Sequence, residues 1–135
     1  MNEKIQLREG LFEKRGNEST LLAIKCQSCQ QVFFPAREIC LNCYSTNLME
    51  HRLSGIGELY SFTIVHIPSK NYEAPYAIGW VKYSDGTRIF SQIRGWQESS
   101  LRTGMPMQLS IEKLWEEEDR EVIGYVFRPV VEQSN

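Results

Sequence analysis

The stretch CQSCQQVFFPAREICLNC, residues 26–43, contains all four cysteines of the 135-residue chain. The cysteines form two Cys-x-x-Cys motifs, Cys26 with Cys29 and Cys40 with Cys43. A tight turn with this spacing points two sulfurs at one place, and the pattern between the pairs predicts a hairpin that brings both turns together. Four thiolates at about 2.3 Å from one ion form a closed tetrahedral site. The spacing therefore predicts a structural metal site, with zinc as its commonest occupant.

Other uses of four cysteines are disulfides, a redox pair, or an iron site. The N-terminal MNEKIQLREG is charged from its third residue, and no apolar run resembles a signal peptide or a membrane span. We therefore expect a cytoplasmic protein, in which thiols stay reduced, and no helix is predicted after either pair to lower a thiol pKa. Iron in a rubredoxin-like site would use the same four ligands and stays open. Four thiolates leave no free coordination position, so this site is expected to hold structure and not to activate water.

Strand signals dominate the rest of the chain. The run TLLAIK at 20–25 predicts a strand leading into the first cysteine pair, and a hairpin is predicted from Val32 through a turn at Pro35 back to Cys40. Aromatic and β-branched runs separated by turn signals then predict five more strands, with a short helix or loop at 97–105. These strands lie at 57–67, 76–83, 87–96, 106–115 and 122–130.

Five strands in this order predict an OB-fold, a five-stranded Greek-key barrel. The predicted fold is mainly β: a rubredoxin-like four-cysteine zinc ribbon followed by the barrel. We expect an N-terminal segment at 1–19, the ribbon at 20–52, the barrel at 53–130 and a C-terminal tail at 131–135. Alternation places Tyr76, Ile78 and Trp80 on one face of their strand and the residues between them on the other.

Charge favours a protein partner over a nucleic acid. The net charge is −2 and the pI about 5.7, whereas phosphate binding usually requires a positive excess. The acidic run WEEEDRE at 115–121, in the predicted turn between the last two strands, would repel phosphate. An outward aromatic cluster on the barrel would be either a base-stacking platform or a protein interface, and the charge favours the interface.

A catalytic role in this chain alone is not expected. The histidines are His51, in the linker, and His66, at a strand end, and neither has a nucleophile or carboxylate partner that can be recognised in the sequence. No phosphate-binding loop, HExxH or GxSxG pattern occurs. The sequence predicts a β protein that is stabilised by the metal site and has no recognisable group of catalytic residues.

Between about residues 20 and 130 the chain contains, in order, the stretches CQSC, FFPAR, CLNC, GIGELYSFTIVH, PYAIGWVKYSDGTRIFSQIRG, GMPMQLS and YVFRP. In this combination it resembles an acyl-CoA-associated family, domain of unknown function thirty-five. At two positions it departs from the usual family pattern: Gln30 stands where glycine is common and Leu41 where proline is common, and neither change removes a cysteine.

The resemblance implies a non-catalytic zinc-binding accessory subunit of a thiolase-type enzyme, in a hetero-oligomer, docked on its partner and shaping the acyl-CoA site. A MaoC-type enoyl-CoA hydratase is the alternative partner; a nucleic-acid-binding ribbon–OB module and an iron redox protein are the rival classes. If CoA touches this chain, cations and aromatic rings should contact its phosphates and adenine. The candidates are Arg37, Lys70, Arg94 and Trp96.

Overall fold

The computed structural model describes residues 3–6, 11–15, 18–70, 72–97 and 100–130, and these ranges contain strands, turns and loops but no helix. The mainly β fold is thus confirmed, and residues 100–105 together with the described part of 97–99 form turn and loop. The strands are β1 (Glu3–Gln6), β2 (Phe12–Arg15), β3 (Glu18–Cys26), β4 (Val32–Phe33), β5 (Leu48–Ser54), β6 (Ile56–Val65), β7 (Tyr76–Lys82), β8 (Arg88–Ile93), β9 (Pro106–Glu117) and β10 (Arg120–Pro129).

Strands β6 to β10 close into a barrel in the order β6-β7-β8-β10-β9, with β9 returning to β6. The β8–β10 pair is parallel, through Phe127 and Ile93, and the other neighbours in the ring are antiparallel. This is the strand order of an OB-fold, in which closure removes the sheet edges. All five predicted barrel strands are confirmed. The N-terminal β1 adds to the same sheet, parallel to β10.

The ribbon is built on β3, which pairs antiparallel with β2, β4 and β5. The predicted strand at 20–25 is confirmed, and it ends at Cys26. The predicted hairpin forms differently, because β4 pairs with β3 around the first cysteine turn and the segment from Phe34 to Cys40 makes bends in place of a return strand. Pro35 has no N–H to donate to a ladder, and this favours the bend over a strand.

One hydrophobic core joins the ribbon sheet to the barrel. Leu21 and Ala23 of β3 and Leu53 of β5 are buried in the same cluster as the barrel residues Val81 and Phe127. An edge-to-face contact between Phe34 and Tyr125, with ring centroids 5.5 Å apart, and a 2.8 Å bond between His51 and Asp85 also cross the junction. Contiguous apolar burial of this kind holds the two parts as one unit.

A β-bulge in β6 shapes the barrel wall. The register shifts between Leu59 and Ser61, so Tyr60 is an extra residue without a partner in β7. At this point β7 supplies Gly79, where an added Cβ would collide with the Ser61 carbonyl oxygen and lie 2.9 Å from the Ile93 Cδ1. Bulges bend a strand and increase its twist, and here the bend requires a residue without a side chain opposite it.

We expect Gly79→Ala to lower the free energy of unfolding by about 2 kcal/mol or more, since overpacking typically costs 1–3 kcal/mol and the colliding atom is backbone that has little room to move. Urea denaturation would measure the loss. The control Thr63→Ser, at an exposed position of the neighbouring β6, should stay within about 0.5 kcal/mol of the wild type. Equal stability of Gly79→Ala and the control would contradict the close approach of β6 and β7.

Candidate metal centre

The two cysteine turns have the same backbone conformation. The Gln30 N–H donates to the Cys26 carbonyl at 2.8 Å, and the Tyr44 N–H donates to the Cys40 carbonyl at 2.9 Å. Gln30 and Tyr44 also share a left-handed backbone, with φ of 68° and 62°. L-residues other than glycine adopt this conformation at a cost of roughly 1–2 kcal/mol. This explains why glycine suits the position of Gln30, and why the turn still forms when another residue stands there.

The turns bring the four sulfurs together. Cys26 Sγ lies 3.6 Å from Cys43 Sγ, Cys29 Sγ lies 3.6 Å from Cys40 Sγ, and all four sulfurs lie within 4.8 Å of one another. A disulfide would require about 2.05 Å, whereas a tetrahedron with metal–sulfur bonds of about 2.3 Å has edges of roughly 3.8 Å. The geometry therefore matches a four-thiolate metal site and not a pair of disulfides.

Peptide groups around the centre favour the thiolate form. The N–H groups of Asn42 and Cys43 both point at Cys40 Sγ from 3.4 Å. The backbone N–H of Cys29 is the main cause that lowers the pKa of Cys26 to about 6, and a hydrogen bond from the Asn42 side chain leads the lowering of the pKa of Cys29. Metals bind cysteine as thiolate, so these donors prepare Cys26 and Cys29 as ligands. At Cys43 the Ser45 backbone N–H also favours the thiolate, but desolvation and the neighbouring cysteine side chains outweigh it and raise the pKa of Cys43 to about 12. With four sulfurs around one point, no coordination position is left open for substrate.

The predicted CoA candidates lie in different settings. Arg37 is exposed in the ribbon loop before Cys40, and Lys70 is exposed in the loop after β6. Trp96 is half-buried against the barrel core. Arg94 is bonded internally, to the Glu112 carboxylate and to two backbone carbonyls of β9. CoA contact at these four residues stays a prediction.

Glu112 is the centre of an ionic clamp on the barrel. Its carboxylate accepts hydrogen bonds from Arg128 at 2.5 and 2.7 Å, from Ser110 at 2.6 Å and from Arg94 at 3.2 Å. Together these bonds tie β9 to β10 and to the end of β8. The hydrogen bonds from Arg128 are the main cause that lowers the pKa of Glu112 to about 2. The sequence does not reveal this clamp, because the two arginines lie 16 and 18 residues from Glu112.

His51, which is predicted to lie in the linker, lies in β5 and has a carboxylate partner that cannot be recognised in the sequence. Its Nε2 lies 2.8 Å from Oδ2 of Asp85, 34 residues further along the chain. Asp85 also accepts a hydrogen bond from the Thr87 N–H in the β7–β8 turn. The pair ties β5 of the ribbon sheet to that turn, so its position is structural.

An exposed aromatic cluster lies on the outer face of β6, β7 and β8. The Trp80 and Phe90 rings are 5.3 Å apart, and the Arg88 guanidinium stacks over the Tyr60 ring at 4.3 Å. Alternation correctly predicted that Tyr76, Ile78 and Trp80 point away from the buried residues between them. The cluster itself depends on strand register, which alternation does not reveal.

Two family descriptions match this chain. Residues 14–48 match the family described as ChsH2, rubredoxin-like zinc ribbon domain, and residues 50–112 match the family described as ChsH2, C-terminal OB-fold domain. A DUF35 domain-containing scaffold protein of Methanocaldococcus jannaschii is 36% identical over 115 residues, which cover 82% of each chain.

In the described part of the chain, no helix has the length and apolar character needed to cross a bilayer.

Other similar proteins carry names of enzyme subunits. The benzoylsuccinyl-CoA thiolase subunit BbsA of Thauera aromatica is 28% identical over 85% of this chain and 80% of its own. A probable enoyl-CoA hydratase alpha subunit of Thermomonospora curvata is 31% identical over 84% of this chain, but the match covers only 35% of that protein. A solved structure described as the Ltp2-ChsH2(DUF35) aldolase aligns with a TM-score of 0.68 at 27% identity, covering 82% of this chain and 85% of the other.

We expect the purified protein to carry one metal ion per chain, measured by inductively coupled plasma mass spectrometry. Cys40→Ser should lose it and unfold the ribbon, because structural zinc sites contribute about 10–16 kcal/mol of apparent binding energy to folding. Ser28→Ala, which changes an exposed residue inside the first turn, is the matched control and should retain the metal. A colourless protein with zinc would exclude iron. Wild-type protein without metal that is as stable as the metal-loaded form would contradict the site.

We expect Glu112→Gln to lower the free energy of unfolding by about 1.5–3 kcal/mol at pH 7, since hydrogen bonds to charged groups contribute that much. The pKa of this carboxyl falls from 4.5 to about 2 on folding. A carboxyl whose pKa is lower in the folded than in the unfolded protein stabilises the folded state. This stabilisation is complete above the unfolded-state pKa and is lost as the pH falls through the folded-state pKa. The difference between wild type and variant should therefore shrink from about pH 4.5 and vanish near pH 2.

Urea denaturation of both proteins across this pH range would test the clamp. Loss of metal in acid affects both proteins alike and cancels in the difference. Glu73→Gln, in an exposed loop, should leave the stability at pH 7 unchanged. A wild-type minus Glu112→Gln difference that does not depend on pH would contradict the ionic origin of the stabilisation.

Proposed function

Because this chain belongs to the DUF35 family of proteins, which join a rubredoxin-like zinc ribbon to an OB-fold, we propose that it is a non-catalytic accessory subunit of a thiolase-type enzyme complex. It docks on the enzyme subunit and shapes its acyl-CoA site. The observation that carries the proposal is the four-sulfur centre fused through one core to a closed barrel. That arrangement suits a rigid scaffold, because the metal ligands are saturated and no reactive position is exposed.

Zinc is the proposed occupant of the centre, with Cys26, Cys29, Cys40 and Cys43 as its ligands. Four thiolates in tetrahedral order are a donor set that zinc takes in structural sites. Its role here is to hold residues 27–47, where β4 contributes only two residues of ladder. A reducing cytoplasm suits ligands of this type. We retain the predicted division into ribbon at 20–52 and barrel at 53–130 as part of the proposal.

Names of relatives support the choice of partner. The Thauera aromatica relative is a thiolase subunit and the solved structure is an aldolase with a DUF35 component. The hydratase alpha subunit of Thermomonospora curvata favours the second candidate, an accessory role beside an enoyl-CoA hydratase. Both candidates place the chain in a hetero-oligomer that acts on CoA thioesters.

We expect affinity purification of the tagged chain from its native lysate to recover a thiolase-type subunit in near-equal amount, identified by mass spectrometry. The recovered enzyme should lose acyl-CoA turnover when this chain is removed and regain it when the purified chain is added back. An enoyl-CoA hydratase subunit in the same amount would select the second candidate. Recovery of no CoA-thioester enzyme, or full activity of the enzyme alone, would contradict the proposal.

A further inference from the structure

Five side chains on the outer wall of the barrel form what we call the aromatic face: Tyr60, Trp80, Lys82, Arg88 and Phe90. Among the aromatic residues of this face, Tyr60 and Trp80 are each 42% exposed and Phe90 is 47% exposed. Trp80 and Phe90 are register partners on β7 and β8, so their rings stand side by side. Exposed apolar side chains scattered singly are ordinary, but a contiguous aromatic group on a sheet marks an interaction site.

The β6 bulge creates this face. Strict alternation would place Tyr60 and Ser61 on opposite sides of the wall, yet both are exposed because the extra residue lies at Tyr60. The bulge thereby places Tyr60 over the Lys82–Arg88 pair of the adjoining strands. Bulges commonly re-aim a side chain in this way. Trp80 packs on Phe90 and Tyr60 on Arg88, so these side chains have less conformational entropy to lose on binding.

The two cations of the face have aromatic but not carboxylate partners. Arg88 stacks on Tyr60 at 4.3 Å and the Lys82 Nζ lies 5.9 Å from the same ring centroid. Neither forms an ion pair among the described residues, although Glu58 is the register partner of Lys82. A stacked guanidinium keeps its N–H edges available for a carboxylate. The face therefore offers positive charge that no ion pair neutralises among the residues the structure describes.

The groove on this face is open and small for a small-molecule site. Tyr60, Ser61, Trp80 and Arg88 line an open depression of about 250 Å³. Small-molecule sites usually enclose about 300–1,000 Å³ and bury most of the ligand. Two cations on a chain of net charge −2 are also few for a nucleic acid, whose affinity grows with the number of phosphates neutralised. Tyrosine, tryptophan and arginine are the residues that dominate binding energy at protein interfaces.

We propose that the aromatic face is the surface by which this chain docks on its enzyme subunit, and that the partner offers it an apolar patch bearing carboxylates. This inference rests on the proposed function and specifies the contact. Trp80 and Phe90 fill the apolar patch, while Arg88 and Lys82 pair with the carboxylates and set the orientation. The exposed side chains of the ribbon, among them Leu41 and Tyr44, lie outside this contact.

The test uses the complex isolated with its native partner and compares the dissociation constants of variants by surface plasmon resonance. Trp80→Ala and Arg88→Glu should each weaken binding by at least about 30-fold, the effect of losing an interface hot spot. The ribbon variant Leu41→Ala is the control, at an apolar residue that is 51% exposed against 42% for Trp80, and should bind like the wild type. Association of the wild type should slow as salt rises, since charge pairs steer the encounter. Metal content and circular dichroism verify that each variant is folded.

If Trp80→Ala and Arg88→Glu both bind with wild-type affinity, the inference is overturned and the proposed function still stands. Weak binding of Leu41→Ala in that case would assign the contact to the ribbon. A wild-type chain that binds no thiolase-type or hydratase subunit would instead defeat the proposed function. Salt-dependent binding of a fluorescent oligonucleotide that is lost in Trp80→Ala would assign the face to nucleic acid and overturn the docking role.

Discussion

The meeting of four cysteine sulfurs at the end of β3 is the constraint on which the ribbon depends. Between Cys26 and Leu48 the chain forms only the two residues of β4 as regular ladder. Such a segment buries too little apolar surface to fold by itself, and saturating its thiolates with a metal supplies the missing stabilisation. β3 ends at the first ligand while its Leu21 and Ala23 lie in the shared core. The position of the centre is therefore tied to the position of the barrel.

The barrel meets a different constraint, the closure of five strands around one core. The bulge in β6 and the close approach of β7 at Gly79 supply the bend that closure requires. The same irregularity leaves Tyr60 beside Trp80 on the outside of the wall. One local distortion thus shapes the interior and provides the exposed face. The Glu112 clamp holds the far side of the ring, where β9 and β10 meet.

The metal centre and the exposed aromatic face lie in different parts of this chain and have different roles. The metal centre is closed and surrounded by peptide N–H donors, so it holds structure. The exposed rings and cations lie on the barrel, on strands that the core makes rigid. A scaffold needs both properties, because a docking surface contributes affinity only if its side chains are already in place. The similarity to proteins named as scaffold and thiolase subunits agrees with this division.

Local pattern in the sequence determined much of this protein. Two cysteine pairs with their short spacing determined the metal centre, and alternation placed Ala77, Gly79 and Val81 on the opposite face of their strand from Tyr76, Ile78 and Trp80. Only the tertiary structure decided the partners of Glu112 and His51, the bend after Pro35 and the grouping of Tyr60 with Arg88. A strand's own residues encode its two faces, because successive side chains alternate. Which strands meet, and in which register, depends on a bulge and on ring closure between residues far apart in the chain.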